Sequence, residues 1–341
     1  MGALDLNQIW FVILGILLAG YAVLDGFDLG VGILHLLARG DRERRTFINS
    51  IGPLWDGNEV WLVTFGGALF AMFPEAYATV FSGFYLAFML LLLALITRAV
   101  SLEFRGKIES PRWKSVWDVG FFASSLVATL LFGVAVGNAL VGIPLDARGV
   151  FTGSFADLLG PYPLLVALLA VALFAMHGAI YLYLKTAGAV QDRLNRWMWH
   201  SWGLFLVLYL LTTIYTLMAV PTAVRNFERF PWAGLFVVAN VLAIANVPRA
   251  LFLKRYGQAF VSTTTTIVCM TALFGLALFP NLVTASNDPA RSLTIFTAAS
   301  SPKTLLIGLW IVILGMPFVL AYTAVVYWTF RGKVELGEHS Y

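Results

Sequence analysis

Three kinds of residue are scarce in this chain of 341 residues. It has one cysteine, Cys269, and four histidines, and charged residues make up 12% of it. A single cysteine excludes disulfide frameworks, cysteine-based zinc sites, iron–sulfur clusters and CxxCH haem attachment within this chain. Soluble globular domains carry about 25% charged residues. The low charge therefore excludes a soluble globular enzyme.

The net charge is also small, because 22 basic residues face 18 acidic residues and leave +4. The basic residues are scattered along the chain, and this pattern does not indicate a protein that binds nucleic acid. Hydrophobic residues, in contrast, make up 60% of the chain. This composition indicates a polytopic membrane protein in contact with lipid.

Nine apolar segments are long enough to cross a bilayer as helices, which takes about 20 residues. The predicted spans are 8–36, 54–72, 76–98, 116–140, 162–184, 200–220, 232–253, 259–280 and 304–330. The second span is the least apolar, because it opens with the sequence WDGNE at 55–59. No long polar stretch separates the spans. We therefore expect an all-α integral membrane protein in which residues 1–341 form a single polytopic domain.

The basic residues predict the orientation of these spans. With nine spans and the N-terminus outside, seventeen of the 22 basic residues lie on the inside. They are Arg39, Arg42, Arg44, Arg45, Arg98, Arg105, Lys107, Arg112, Lys114, Lys185, Arg193, Arg196, Arg249, Lys254, Arg255, Arg331 and Lys333. Without the second span, the basic segments 39–45 and 98–114 would lie on opposite faces, against the positive-inside rule. We therefore expect a cytoplasmic C-terminus.

Acidic residues within the spans concentrate in the first two helices. Asp25 and Asp28 lie one turn apart on one face of the first span, beside Gly26, Gly30 and Gly32. Asp25 is eleven residues from the inner end near residue 36, about 16 Å at 1.5 Å per residue, so it lies close to the middle of the bilayer. A charge at that depth is costly and indicates a function or a partner.

Asp56 and Glu59 open the second span from the inside. If the first two helices pack as an antiparallel hairpin, these acids lead inward toward Asp28 and Asp25. A line of buried carboxyls is what a proton path needs. The alternative is structural, since acids at a helix N-terminus are favourable and Arg98 is available as an ion-pair partner.

The histidines do not indicate a haem site. A bis-histidine haem needs two histidines at one depth on facing helices, and the depths of His177 and His200 do not match. His35 lies at the inner end of the first span. We expect His177 to be a packing residue, and we expect no metal site and no haem held by this chain alone.

Three segments match a known pattern. LDGFDLGVG at 24–32, ERRTFINSIGPLWDGNEVWLVTFGGALFAMFPEAYATVFSGFY at 43–85 and WDVGFFASSLVATLLFGVAVGN at 117–138 closely resemble subunit II of the cytochrome bd-type quinol oxidases. The resemblance is dense over the first 140 residues and continues as hydropathy to the end. It is more specific than shared hydrophobicity, because polar residues inside helices are part of it.

The resemblance implies a complex in which subunit I carries two b-type haems and one haem d, and in which subunit II is not catalytic alone. It implies that quinol is oxidised and O₂ is reduced to water with cytoplasmic protons and without pumping, in the cytoplasmic membrane of a bacterium or archaeon. Subunit II would contain two four-helix bundles and one peripheral helix. A small single-span accessory subunit and a structurally held quinone are further expectations.

Acids that match Asp25 and Asp56 are proposed in relatives to feed protons toward the oxygen-reducing haem. Asp28 and Glu59 are weaker candidates for the same path, and Trp55, Asn58 and Arg98 are candidates for partner contacts. Two other functions stay open at this point. One is a proton-coupled secondary transporter, which also uses midplane acids, and the other is a purely structural scaffold subunit.

Overall fold

A computed structural model describes residues 5–337, which form a bundle of helices with one short β-hairpin. The helices are α1 Leu6–Leu34, α2 Gly40–Ile51, α3 Trp55–Met72, α4 Pro74–Gly83, α5 Tyr85–Phe104, α6 Pro111–Val141, α7 Pro161–Lys185, α8 Val190–Ala219, α9 Pro221–Arg229, α10 Gly234–Phe252, α11 Tyr256–Leu278 and α12 Pro302–Thr329. Strands β1 Asn281–Val283 and β2 Leu293–Thr294 pair antiparallel. The predicted all-α class is confirmed.

Eight helices in the described part of the chain are long and apolar enough to cross a membrane. They are α1, α5, α6, α7, α8, α10, α11 and α12. The chain is therefore a multi-pass membrane protein. Helix α3 is not among the eight, because its 18 residues include Asp56, Asn58 and Glu59.

Most predicted spans agree with the helices to within a few residues, but the third is wrong. The prediction 76–98 joined two helices, α4 and α5, that are separated at Phe84, whose backbone is not helical. Helix α4 packs on a neighbouring loop instead, where the Thr79 hydroxyl donates to the Gly149 carbonyl over 2.9 Å. The apolar helix that follows ends at Phe104 rather than 98.

The short helices α2 and α9 and the first ten residues of α8 were also not predicted. Helix α2 buries Phe47, Ile48 and Ile51 although most of its residues are polar. Helix α9 begins at Pro221, and α8 begins at Val190, ten residues before the predicted span 200–220. These segments are amphipathic or polar, so a search for apolar runs does not detect them.

Helix α1 lies at the centre of the bundle and packs against α3, α6, α7 and α11. Its start is capped by Asp5, whose carboxylate accepts the backbone N–H of Gln8 over 2.7 Å. Close packing against α7 depends on glycine, because a Cβ on Gly30 would lie 1.9 Å from the Phe174 carbonyl oxygen. The glycines beside the acids therefore allow helix contact.

The bundle has two ends with different chemistry. At the end that we call the basic end, the last turn of α1 and the start of α2 meet the turn between α5 and α6, and Arg105 Nη2 lies 2.8 Å from Asp41. At the opposite end, which we call the hairpin end, Ile143 pairs with Ala285 beside the β-hairpin. The arrangement into two four-helix bundles and the single domain stay predictions.

Candidate functional site

A fully buried ion pair joins α1 and α5. Asp25 and Arg98 are each 0% exposed. Arg98 Nη1 donates to Asp25 Oδ2 over 2.8 Å, and Nη2 donates to Oδ1. The two parallel bonds form a bidentate pair, which is the strongest geometry for a guanidinium and a carboxylate. The structure therefore joins two residues that are 73 positions apart in the sequence.

Glu59 of α3 is the second acid beside this guanidinium. Its Oε1 lies 3.2 Å from Arg98 Nη2, and its side chain is 22% exposed. Asp25 and Arg98 have no exposed surface, so Glu59 is the member of this group that reaches the outside of the chain. Helices α1 and α3 are in direct contact, as the hairpin arrangement considered in the sequence requires.

Asp28 lies in a separate polar contact. Its Oδ2 accepts a hydrogen bond from Asn58 Nδ2 over 2.7 Å, while its Oδ1 has no hydrogen-bond partner among the described residues. The Tyr327 hydroxyl donates to Asn58 Oδ1 over 2.9 Å. Asn58 therefore connects α1 to α12, and Tyr327 is a site residue that the sequence did not reveal, because it lies 269 positions away.

The other two predicted site residues lie at the surface of the chain. Asp56 is exposed in the first turn of α3, and its side chain makes no hydrogen bond or ion pair with another described residue. Trp55 is partly buried and packs against the hydrophobic core. The structure thus brings Asp25, Glu59 and Arg98 together and leaves Asp56 facing outward.

A second charged cluster, missed in the sequence, lies at the basic end. Asp118 of α6 is 1% exposed and accepts hydrogen bonds from Arg105 Nε over 2.6 Å and from Arg44 Nη1 over 2.8 Å, and its Oδ1 lies 2.6 Å from His35 Nε2. His35 lies seven residues after Asp28, so both occupy one face of α1. The seven-residue separation of Asp28 and His35 was the sequence signal from which this cluster could have been predicted.

Asp41 extends this cluster toward solvent at the start of α2. Arg105 Nη2 donates to Asp41 over 2.8 Å, and Lys114 Nζ lies 3.4 Å from its other oxygen. Partial burial raises the pKa of Asp41, but the hydrogen bonds and charges of Arg105 and Lys114 outweigh this and lower that pKa below its ordinary value. Asp41 is therefore ionised at neutral pH.

His177 is not arranged to bind a metal. Its Nδ1 lies 2.7 Å from the Thr263 hydroxyl, and its Nε2 lies 3.2 Å from the Val23 carbonyl. The ring also stacks on Phe260 with centroids 4.7 Å apart. Within residues 5–337, no group of three or more His, Cys, Asp or Glu side chains is placed to hold a metal ion. His177 has the contacts of a packing residue.

Comparisons with known proteins agree on one family. The sequence model of the family described as Cytochrome bd terminal oxidase subunit II matches residues 6–330. Cytochrome bd-I ubiquinol oxidase subunit 2 of Escherichia coli (strain K12) is 37% identical over 364 residues, covering 96% of this chain and 95% of that protein. Cytochrome bd ubiquinol oxidase subunit 2 of Bacillus subtilis (strain 168) is 33% identical over 336 residues, covering 98% of each.

A solved structure has the same fold. A chain in the structure of bd oxidase from Geobacillus thermodenitrificans matches with a TM-score of 0.80 and 17% identity, covering 96% of this chain and 99% of that one. The family model spans nearly the whole chain, and the relatives match over nearly their whole length. The chain therefore belongs to the cytochrome bd terminal oxidase subunit II family.

Proposed function

We propose that this chain is the haem-free subunit that packs against haem-bearing subunit I and carries protons from the cytoplasm toward the haem that reduces O₂. Family membership makes the chain a subunit of a quinol oxidase complex. In the proposed reaction, quinol is oxidised and O₂ is reduced to water with cytoplasmic protons, without pumping. The complex would lie in the cytoplasmic membrane of a bacterium. With the family known, a secondary transporter is not favoured.

The group formed by Asp25, Arg98 and Glu59 is the observation that carries this proposal. Two carboxyls share one guanidinium, so Arg98 balances only one negative charge. An unbalanced charge is costly inside a membrane, and the group becomes neutral when one carboxyl holds a proton. Two acids that share one proton in this way can take it up and pass it on.

The exposed face of α3 supports a protein partner rather than lipid. Helix α3 exposes Asp56, Gly57, Thr64 and Gly67 among the exposed apolar side chains of Val60, Val63 and Phe70. Polar and small side chains are unusual against lipid but common where helices pack together in membranes. We propose that subunit I packs against this face, where it would cover Asp56 and contact the exposed part of Glu59.

Nine crossings with the N-terminus outside are part of the same proposal. Arg105 and Lys114 contact Asp41. These contacts support placing the basic segments 39–45 and 98–114 on the same side of the membrane. At the other end of α3, the Ser300 backbone N–H donates to the Met72 carbonyl over 2.8 Å, and Ser300 precedes α12 at the hairpin end. These contacts support α3 as a ninth crossing.

The haems of the complex are proposed for subunit I. His177 does not fit an axial ligand, because both ring nitrogens face groups within this chain. The two b-type haems, the haem d, the structurally held quinone and the small accessory subunit stay predictions from the family resemblance. This chain would contribute carboxyls and packing surface to the oxygen-reducing site.

The test is turnover of the co-purified two-subunit complex with conservative variants. Asp25→Asn and Asp56→Asn keep side-chain size and remove the titratable proton. We expect each to lower O₂ consumption by about a hundredfold, the lower end of general acid–base effects. Asp56 has no hydrogen bond within the chain, so loss of turnover in Asp56→Asn is not explained by altered internal packing. Asp192→Asn, an exposed aspartate on α8, is the matched control.

An optical spectrum of each complex separates the two roles. Unchanged b and d haem bands with lost turnover support the proton path. Loss of the haem-bearing partner on purification, with turnover per haem preserved, indicates the scaffold role instead. Full turnover in both variants rules out the proton path.

A further inference from the structure

A polar cavity lies at the basic end, outside the group around Arg98. Its volume is about 330 Å³, and it lies between the start of α2, the turn after α5 and the start of α6. Six charged side chains line it, three of each sign: Asp41, Glu109 and Asp118, and Arg44, Arg105 and Lys114. The cavity is thus electrically balanced and large enough for several water molecules.

Asp118 lines the cavity and also contacts His35 inside the bundle. Its Oδ1 lies 2.6 Å from His35 Nε2, and His35 is 0% exposed. The other ring nitrogen, Nδ1, is buried and has no hydrogen-bond partner among the described residues. An imidazole can accept a proton at one nitrogen and release one from the other. Nε2 of His35 therefore faces Asp118 at the cavity wall, while Nδ1 has no hydrogen-bond partner among the described residues.

Ser125 lies against α1 between His35 and the midplane acids. Asp28, Gly32 and His35 are spaced four and three residues apart, so they lie on one face of α1. A Cβ on Gly32 would lie 2.0 Å from Ser125 Oγ, so the buried hydroxyl occupies the space that glycine leaves. Asp28 and His35 are about 10 Å apart along the helix axis at 1.5 Å per residue. Ser125, which contacts α1 at Gly32, therefore lies between Asp28 and His35.

Helix α5 also contributes polar groups to the contact region between α1, α5 and α6, which we call the seam. Arg98, Ser101 and Arg105 follow at spacings of three and four residues and lie on one helix face. Arg98 binds Asp25 and Arg105 binds Asp118, so this face connects the two charged clusters. Ser101 faces α6, where a Cβ on Gly120 would lie 2.8 Å from its hydroxyl oxygen. Polar groups of α1, α5 and α6 therefore connect the cavity to the midplane.

We infer that this cavity is a proton-uptake site and that the His35–Asp118 pair relays protons from it, past Ser125, to Asp28 and Asp25. The inference rests on the proposed function and adds a second route beside that through α3. Reduction of one O₂ to water takes up four protons, and full turnover requires both routes. In each transfer, Asp118 takes a proton from the cavity and passes it to Nε2 of the tautomer that carries its proton on Nδ1. Nδ1 then releases its proton inward, so the charges of Asp118 and His35 are unchanged once the ring returns to that tautomer. Besides Asp118 itself, five charged side chains line the cavity beside the pair: Asp41, Arg44, Arg105, Glu109 and Lys114.

The first test replaces His35 in the intact two-subunit complex. His35→Gln keeps an amide that can bind Asp118 but cannot exchange protons. We expect O₂ consumption to fall by about a hundredfold, with unchanged haem bands. His200→Gln, a substitution of an exposed histidine on α8, is the control and should leave turnover unchanged. Turnover within about twofold of the parent between about pH 6 and pH 9 overturns the relay, since a twofold change is within what packing alone produces.

Chemical rescue separates proton transfer from packing. His35→Ala leaves space for a small ring beside the cavity, and added imidazole should restore turnover. Pyrazole has the same ring size but is a far weaker base, so it should not restore turnover if the ring carries protons. Equal restoration by both compounds means that the ring only fills space, and it overturns the inference.

Ser125→Ala tests the seam without touching His35. The variant loses only the hydroxyl that donates to the Phe121 carbonyl over 2.7 Å. We expect a several-fold loss of turnover, whereas Ser201→Ala, which removes an equivalent 2.8 Å bond to Trp197 on α8, should have no effect. Unchanged turnover in Ser125→Ala overturns the relay. If Asp25→Asn loses turnover while the His35 and Ser125 variants keep it, the relay fails and the proposed function stands; full turnover in Asp25→Asn removes the proposed function itself.

Discussion

At the scale of single residues, the most constrained group is the buried guanidinium of Arg98. Arg98 and Asp25 have no exposed surface, so neither charge is solvated by water. Burying two charges is costly, and their attraction compensates only when the geometry is good. The bidentate contact meets that condition. Asp25 could be predicted as a buried acid from its depth, and Arg98 was a candidate partner in the sequence.

Removing the guanidinium should destabilise the subunit more than removing both charges. Arg98→Gln leaves Asp25 buried without its partner, and we expect a loss of about 3–5 kcal/mol in stability. The double variant Asp25→Asn with Arg98→Gln leaves no charge in the pair and should recover part of that loss. The measurement is the thermal unfolding of the purified complex and its yield from membranes.

The control for this pair is Arg148→Gln. Arg148 is exposed at the hairpin end, and its side chain makes no ion pair with a described residue. We expect its removal to change the unfolding temperature little. If Arg98→Gln were as stable as this control, the pair would not be the structural constraint that its burial implies.

The polar partners of the site were harder to predict than its acids. Tyr327 and Asp118 reach the site from α12 and α6, and nothing in the local sequence marks them. Their positions follow from which helices are neighbours, and that is decided by packing along the whole chain. His35 was judged only as a haem ligand, although its spacing from Asp28 already placed both on one helix face.

At the scale of elements, hydropathy predicted where helices are but not where they break. The segment 76–98 is mostly apolar, so hydropathy predicts one span, yet the chain leaves the helix at Phe84. A Cβ on Gly83 would lie 2.9 Å from the Cβ of Phe151, so a distant loop packs at this break. Helix α2 was missed for the opposite reason, because its polar sequence is held by three buried apolar residues.

Contact between α1 and α7 should be sensitive to a single methyl group. Gly30→Ala would place a Cβ 1.9 Å from the Phe174 carbonyl oxygen, and backbone cannot move aside as a side chain can. We expect a loss of at least about 2 kcal/mol and a lower yield of the complex. Gly15→Ala on the same helix meets no atom within 4 Å and is the matched control. Equal stability of the two variants would contradict this packing.

At the scale of the whole molecule, polar chemistry is confined to a narrow region of an apolar bundle. The seam between α1, α5 and α6 joins the basic end to the midplane, while the buried core around it is mostly hydrophobic. The proposed proton relay follows this polar region. Direction along the route depends on which end of the bundle faces the cytoplasm.

The orientation can be measured with single cysteines in intact cells. The native Cys269 is buried and is first replaced by alanine. A membrane-impermeant thiol reagent should label Glu75→Cys, which follows α3 at the hairpin end, from outside. Arg42→Cys and Lys107→Cys, both exposed at the basic end, should react only after the membrane is permeabilised. The contacts between Asp41 and Arg105 require these two positions to behave alike. If Arg42 and Lys107 reacted from opposite sides, α3 would not cross the membrane, and the cavity would have no common cytoplasmic face from which to take up protons.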